Sequence, residues 1–224
     1  KIIVAGEPGG SIEATRKAIE DLWDAEVYDF YGISDIYGAC AGMCSARNGL
    51  HIAEDQIYVE VIDPVTLEPV KDGQRGELVL TTLRKQARPM IRFRTGDIAI
   101  FNKEKCECGR THGRIQVVGR LDDMLIVSGV NIFPSDIEFI VRNIKELNGE
   151  YRVYAISENF TTKFKVEVEK HADVTITNEE LSEKVSHNIK ARLGVRPKEV
   201  VILEEGALPR ATHKAKRFID LREQ

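Results

Sequence analysis

Strand and helix patterns alternate at the start of the chain, and this order constrains the fold more than any other feature. Two apolar runs, KIIVAG (1–6) and AEVYDFYG (25–32), indicate buried strands on either side of a helix. The segment between them carries residues at helical spacing: Ile12, Thr15, Ile19 and Leu22. Ser11 precedes this segment and is the predicted N-cap. A strand, a loop, a helix and a second strand in this order are typical of a parallel α/β sheet.

The pattern changes near residue 55. Three runs alternate or stay apolar, with short turns between them: QIYVEVIDP (56–64), RGELVLTTL (75–83) and DIAIF (97–101). They predict antiparallel strands of a small barrel or sheet. In the parallel part, ligands are expected at the carboxyl ends of the strands, which here are GEPGG (6–10) and DFYGISD (29–35).

A third pattern follows Arg120. Ser135 and Glu138 form a predicted S-x-x-E capping box before a helix. The expected apolar face of that helix comprises Ile137, Ile140, Val141, Ile144 and Leu147. Thr177 and Glu180 are predicted to cap a second helix, which ends at Gly194.

Strands complete this last region. They are predicted over 152–156, 163–170 and 199–203, and the basic tail 208–224 has the composition of a flexible segment. Residues from about 123 to the end are therefore expected to form an α+β unit of β-α-β-β-α-β type. The predicted fold class is α/β plus α+β: the end of a parallel subdomain, a small antiparallel β-barrel or sheet, and a C-terminal unit.

Composition narrows the functional classes. The formal net charge of −4 argues against nucleic-acid binding by bulk electrostatics. No apolar run approaches the roughly 18 residues of a membrane span. Four cysteines in 224 residues are too few for a secreted disulfide framework, so a reducing, cytoplasmic setting is expected. The chain opens directly into a predicted strand, and we therefore expect an upstream portion in a longer protein.

The cysteines also suggest a metal site. Cys44 and His51 have the spacing C-x6-H, and Cys106-x-Cys108 lies further along the chain. Together they make a Cys₃His set suited to tetrahedral, structural Zn²⁺. Cys40 and His112 are alternative ligands, and four free thiols that pack as small apolar groups are the competing interpretation.

Four further motifs resemble those of a known superfamily. They are YGISD (31–35), RFRTGD (92–97), GRLDD (119–123) and LPRATHKAKR (208–217). Their order and rough spacing resemble the adenylate-forming enzymes, namely acyl-CoA synthetases, peptide-synthetase adenylation domains and luciferases. AGEP, NGLHIAED and CECGRT resemble the phenylacetate–CoA ligase branch, which also includes coenzyme F390 synthetase-like proteins. The resemblance covers nearly the whole chain as the C-terminal half of such an enzyme, without the Ser/Thr/Gly-rich phosphate loop.

The resemblance implies a nucleotide site in the first half. Asp97 would accept hydrogen bonds from both ribose hydroxyls of ATP, because an ionised carboxylate only accepts. Tyr31 would stack on adenine, Ser34 would contact phosphate, and Asp35 would help to hold Mg²⁺, where the family usually has Glu. The remaining nucleotide-binding positions would be Gly6, Glu7, Pro8, Asp29, Phe30 and Gly32.

It also implies a mobile C-terminal domain. Residues 1–121 would belong to the large core, as an α/β unit (1–54) and a β-rich region (55–118), and residues 122–224 would form the mobile domain. Asp122 would be the hinge and Arg120 would contact ATP oxygens. Gly129 would let the pantetheine arm of CoA approach closely.

The catalytic lysine is expected in the tail. Lys214 is favoured over Lys216, and it would neutralise charge that develops on the carboxylate and the α-phosphate. His213 replaces the glycine of the family pattern, so the loop is expected to differ there.

The implied function is an aryl- or acyl-CoA ligase. A small carboxylate such as phenylacetate would react with ATP and then with CoA, with Mg²⁺ as cofactor. The 224-residue chain alone is expected to be inactive or nearly so. Two alternatives remain: an adenylyltransferase of the coenzyme F390 type, and a zinc-stapled binding module without catalysis. A homodimer is a candidate assembly.

Overall fold

The described residues of the computed structural model are 1–6, 10–158, 161–210 and 217–222. They belong to two units, Lys1–Asp122 and Asp123–Gln224. None of the helices described has the length and apolar character that a membrane span requires. The predicted mixed α/β class is confirmed.

The first unit is built on one eight-stranded sheet. In chain order its elements are β1 Ile2–Ala5, α1 Glu13–Trp23, β2 Val27–Ile33, β3 Tyr37–Met43, β4 Leu50–Ile52, β5 Ile57–Ile62, β6 Arg75–Thr82, β7 Phe93–Asn102 and β8 Arg114–Arg120. The strand order is β1-β2-β3-β4-β8-β7-β6-β5. Of the strand pairs formed by the described residues of this sheet, β1–β2 is parallel and the others are antiparallel. The strands before and after residue 54, where the α/β unit was predicted to end and the β-rich region to begin, share one sheet, because β4 pairs with β8.

The start of α1 differs from the prediction. Ile12 rather than Ser11 is the N-cap. The Ser11 hydroxyl instead donates to Asp29 Oδ2 at 2.5 Å and ties the end of the loop to β2. Burial of the predicted apolar face decreases along the segment: Ile12 is 9% exposed, whereas Leu22 is 80% exposed and the neighbouring Trp23 is 68% exposed.

The second unit contains a hairpin, two helices and a four-stranded sheet. Its elements are β9 Leu125–Val127, β10 Val130–Ile132, α2 Pro134–Arg142, β11 Leu147–Glu158, β12 Thr161–Lys170, α3 Asn178–Leu193, β13 Glu199–Leu203 and β14 Phe218–Asp220. The sheet order is β13-β12-β11-β14. The β9–β10 hairpin stays outside this sheet, and β14 in the supposedly flexible tail takes the place beside β11.

Helix ends follow local chemistry. The predicted cap of α3 is confirmed: Thr177 Oγ1 accepts from Glu180 N at 3.2 Å, and Gly194 closes the helix at φ +78°. The predicted box at Ser135 is wrong. Phe133 is the N-cap of α2, Pro134 occupies the first turn, where a missing N–H is tolerated, and Asp136 accepts from Phe133 N at 3.2 Å.

The α2 helix is also shorter than predicted. It ends at Arg142, so Ile144 lies in the connection and Leu147 begins β11. All five predicted apolar residues nevertheless join one core with the α3 residues Leu181, Val185 and Ile189.

A buried carboxylate organises the residues that follow β13. Glu169 is fully buried on β12 and accepts from Leu208 N at 2.6 Å and from Arg210 Nη2 at 2.8 Å. It also accepts from Gly206 N at 3.1 Å and from Asn148 Nδ2 at 2.7 Å. Burial alone would raise the pKa of Glu169, but these hydrogen bonds outweigh it and lower the pKa to about 2.

This shift predicts a pH-dependent stability. A carboxyl with a depressed pKa stabilises the fold above its unfolded pKa of 4.5, and this contribution is lost as the pH falls towards about 2. Glu169→Gln should therefore lower the free energy of unfolding at pH 7 by about 2 kcal/mol, and the difference from the parent should shrink in acid. Urea unfolding at pH 7 and pH 3 measures this. Glu204→Gln is the control, since this glutamate pairs with Lys170 but its own side chain is 72% exposed; a pH-independent difference for Glu169→Gln would contradict the assignment.

Candidate functional site

Asp97 is the centre of a hydrogen-bonded group in the first unit. It lies on β7 and is 8% exposed. Its Oδ2 accepts from the Tyr31 hydroxyl at 2.5 Å, and its Oδ1 accepts from Arg120 Nη1 at 3.2 Å. Burial, together with the adjacent carboxylate, raises the pKa of Tyr31 above its usual value. Tyr31 therefore stays a protonated donor to Asp97.

The end of β8 places residues of the GRLDD motif (119–123) next to Asp97. Arg120 pairs with Asp97 across the β7–β8 ladder, and its Nε donates to Asp122 Oδ1 at 2.9 Å. Gly96 has φ +73°, and a Cβ there would lie 3.1 Å from Arg120 Nη2. A glycine at this position thus meets both the backbone conformation and the close approach of the guanidinium. The geometry brings Tyr31, Asp97, Arg120 and Asp122 together.

The loop after β2 has different partners. Asp35 Oδ1 lies 3.1 Å from Arg88 Nη2, and both side chains are partly exposed. Lys85 Nζ donates to the carbonyl oxygens of Asp35 at 2.6 Å and Ile36 at 3.2 Å. Ser34 is exposed. Two cations from the β6–β7 connection therefore hold the loop that was predicted to face phosphate and Mg²⁺.

The start of β2 supports the first loop. Asp29 is 4% exposed, and burial raises its pKa while the bond from Ser11 opposes this. Gly6 is exposed with φ +84°. Gly32 has a packing role, because a Cβ there would lie 2.1 Å from Gly38 O on the neighbouring strand. The ring of Phe30 covers Gly42 in the same way.

Other predicted residues lie apart or outside. Gly129 is exposed in the second unit with φ +79°, and within the described part of the chain no atom beyond its sequence neighbours lies within 4 Å of the position that a Cβ would take. Glu7, Pro8, Lys214 and the alternative Lys216 lie outside the described residues, as does His213.

Three thiols and an imidazole form a second cluster. Cys44 follows β3, His51 lies on β4, and Cys106 and Cys108 lie in the β7–β8 connection. One ligand atom from each lies within 4.8 Å of those of the others. Cys44 Sγ is 3.7 Å from Cys106 Sγ, and Cys108 Sγ is 3.4 Å from His51 Nε2. Local turns permit this approach, since Gly109 has φ +88° and donates its N–H to Cys106 O at 2.9 Å.

Contacts around the cluster distinguish the predicted metal ligands from the alternative ligands, Cys40 and His112. His51 Nδ1 is 2.9 Å from the backbone oxygen of His112, which fixes the imidazole with Nε2 towards the thiols. His112 thus contributes its carbonyl. Cys40 donates to Tyr37 O at 3.2 Å and is not a member of the cluster. The N–H and side chain of Arg110 lower the pKa of Cys108 to about 6, whereas burial raises the pKa of Cys44.

The sequence did not predict the roles of three residues near the site. Lys85 and Arg88 lie in a basic stretch that matches no motif, and Glu77 lies in a predicted strand. The signal for Glu77 was a carboxylate within an apolar run, RGELVL, since a charge in such a place needs a partner.

Comparisons with known proteins place the chain in a family. The model of the AMP-binding enzyme C-terminal domain matches residues 129–222, and that of acyl-protein synthetase, LuxE, matches residues 18–131. Phenylacetate-coenzyme A ligase of Thermus thermophilus is 37% identical, with 94% of this chain and 52% of the relative covered. That of Escherichia coli is 35% identical, with 94% and 49% covered.

A solved structure of a CoA ligase has a similar fold. 2-Hydroxyisobutyryl-CoA ligase in complex with R3-HIB-AMP matches with a TM-score of 0.88 and 31% identity, over 99% of this chain and 48% of that one. The chain spans about half the length of the curated relatives it matches. With the matched motifs and fold together, the chain belongs to the adenylate-forming (acyl-CoA synthetase) superfamily, as a phenylacetate–CoA ligase-like member.

Proposed function

We propose that the protein containing this chain is an acyl-CoA ligase that uses ATP to activate a carboxylic acid, with arylacetates such as phenylacetate as the first candidate substrates. A carboxylate oxygen attacks the α-phosphate of ATP, and the bond to pyrophosphate breaks. The thiol sulfur of CoA then attacks the acyl carbon, AMP leaves, and the thiol proton is released.

The observation that carries this proposal is the Tyr31–Asp97–Arg120 group. Its carboxylate is nearly buried and is held between a hydroxyl donor and a guanidinium. Such a carboxylate suits the two hydroxyls of a ribose, because each oxygen retains acceptor capacity beside its present partner. Arg120 would then contact ATP oxygens, and Tyr31 would lie against adenine.

The phosphate side of the site is proposed from the loop after β2. Mg²⁺ would neutralise phosphate charge when bound, and the Asp35 carboxylate offers oxygen ligands of the kind that it prefers. The Arg88 side chain beside it is 74% exposed, so this pair can separate at little cost. Lys214 is proposed to approach the α-phosphate and the substrate carboxylate.

We further propose that Asp122 is a hinge for the domain 122–224. Its side chain is 70% exposed, so solvent can hydrate it in more than one backbone state. The open space above Gly129 suits a pantetheine arm of CoA.

The cysteine cluster is proposed to hold a structural zinc ion. A tetrahedral centre with Zn–S bonds of about 2.3 Å separates two sulfur atoms by about 3.8 Å, and a sulfur and a nitrogen by about 3.6 Å. The separations of 3.7 Å for Cys44–Cys106 and 3.4 Å for Cys108–His51 fit these values. Four protein ligands leave no open position, so the ion would connect loops and take no part in the reaction.

The match to acyl-protein synthetase over residues 18–131 favours one second candidate, in which a protein rather than CoA receives the acyl group. Both candidates share the acyl-adenylate, so they differ only in the second step. The coenzyme F390 type would instead transfer AMP to a deazaflavin.

One assay separates these reactions. The complete protein is incubated with ATP, Mg²⁺ and a panel of carboxylates, with and without CoA, and pyrophosphate, AMP and thioester are measured. We expect pyrophosphate with an arylacetate, and AMP with thioester only when CoA is added. Adenylate formation without thioester would favour a protein acceptor, and turnover with a deazaflavin would favour the F390 type. If no carboxylate gives pyrophosphate, AMP or thioester, the result would contradict the proposed function and favour a binding module.

A further inference from the structure

The backbone that carries Asp97 departs from regular strand pairing. Glu77 pairs with Ile98, but Val79 already pairs with Arg94. The single residue Leu78 thus faces a three-residue stretch, 95–97, which makes an irregular bulge in β7. Bulges are common next to active sites, where they redirect a side chain.

Glu77 fills the acceptor role that this bulge leaves open. Its Oε1 accepts from Gly96 N at 3.3 Å, and its Oε2 accepts from Arg94 Nε at 2.8 Å and from Arg94 Nη2. Glu77 is 2% exposed, whereas the Arg94 side chain is 46% exposed. A carboxylate buried in a sheet is unfavourable without such donors, so its position here has a specific cause.

Thr95 secures the other side of the bulge. Its hydroxyl donates to Leu78 O at 2.9 Å and accepts from Asp97 N at 3.0 Å. The amides of Gly96 and Asp97 therefore both donate to side chains. These two bonds fix the backbone from which the Asp97 carboxylate projects towards Tyr31 and Arg120.

We propose that Glu77 is a positioning residue for nucleotide binding: through the Gly96 amide it fixes the bulge from which Asp97 reaches the ribose. This inference rests on the proposed function. Glu77 does not touch the nucleotide; it sets the place of the group that does. Its loss should weaken recognition of the ribose hydroxyls more than it weakens other parts of ATP binding.

The preference for ATP over 2′-deoxy-ATP tests this role, because a purely structural role of Glu77 would leave that preference unchanged. ATP and 2′-deoxy-ATP are compared by carboxylate-dependent ATP–pyrophosphate exchange in the complete protein. The parent should prefer ATP by about 30-fold in kcat/KM, since one charge-assisted hydrogen bond is lost. Glu77→Met, of similar volume but a poor acceptor, should reduce this preference to about threefold. Glu77→Gln, which keeps an acceptor for Gly96 N, should give an intermediate value.

The control is a second glutamate–arginine pair in the same sheet. Glu60→Met removes the partner of Arg92, 3.2 Å away on the surface, and should leave the preference unchanged. A folded Glu77→Met protein with the parent's preference would overturn the inference and leave the proposed function intact. If that variant does not fold, an unchanged preference in Glu77→Gln overturns it equally. A parent that does not distinguish the two nucleotides would instead refute the ribose-binding role of Asp97, and with it this inference.

Discussion

Cys106→Ser should reduce bound zinc from one ion per chain to less than about a tenth, and should lower the melting temperature by about 10 °C. A serine hydroxyl stays protonated near neutral pH and is a much weaker ligand than a thiolate. Cys106 is 4% exposed, and its loop connects to β3 and β4 through the cluster, so loss of the ion removes a cross-link between distant parts of the chain. Metal analysis of protein purified without added zinc, followed by thermal unfolding, measures both effects.

Two variants control for this result. Cys40→Ser changes a thiol that is 1% exposed but outside the cluster, so zinc should be retained. His112→Ala should also retain zinc, because His112 contacts His51 through its backbone oxygen, which the substitution keeps. A metal-free parent protein would refute the zinc proposal, and equal zinc in the Cys106→Ser protein would refute this ligand assignment.

Asp97→Asn should reduce kcat/KM for ATP in pyrophosphate exchange by about a thousandfold. Two charge-assisted hydrogen bonds to the ribose would weaken, at about 2 kcal/mol each. The asparagine amide would also place a donor where Tyr31 or Arg120 already donates, which disturbs the group before nucleotide arrives. The measurement is ATP–pyrophosphate exchange at saturating carboxylate.

A surface aspartate provides the comparison. Asp55 accepts from its neighbour Gln56 at an exposed site, and Asp55→Asn should leave the exchange rate unchanged. An Asp97→Asn protein within about threefold of the parent would show that this carboxylate does not bind the nucleotide.

Periodic patterns predicted most strands of the fold and the cap of α3, because alternation and capping depend on nearby residues. They could not predict that β4 joins β3 to β8, or that Phe218–Asp220 forms β14, since both depend on long-range pairing. The box at Ser135 failed because α2 begins at Pro134, which places the N-cap at Phe133, two residues earlier than predicted.

Some residues of the candidate site could likewise be predicted from the sequence, and others could not. Residue type and motif order indicated Asp97, Tyr31 and Arg120, and ligand spacing indicated the four members of the cysteine cluster. The roles of Lys85 and Arg88 could not be predicted, because a lysine that holds carbonyl oxygens across 49 and 50 residues leaves no local pattern. Glu77 had a signal in the sequence, a carboxylate within an apolar run, but its role depends on a bulge that becomes visible once the strands are paired.

The bond between Tyr31 and Asp97 has a consequence for the shape of the sheet. Their strands, β2 and β7, are four places apart in the strand order, so in a flat sheet they would be separated by about 19 Å. A 2.5 Å contact between the two side chains therefore requires the sheet to be curved, so that β2 and β7 come within reach of each other's side chains. If Asp97 binds the ribose of ATP as proposed, both groups are already in place in the free protein, and the entropy of bringing them together is lost during folding rather than on binding.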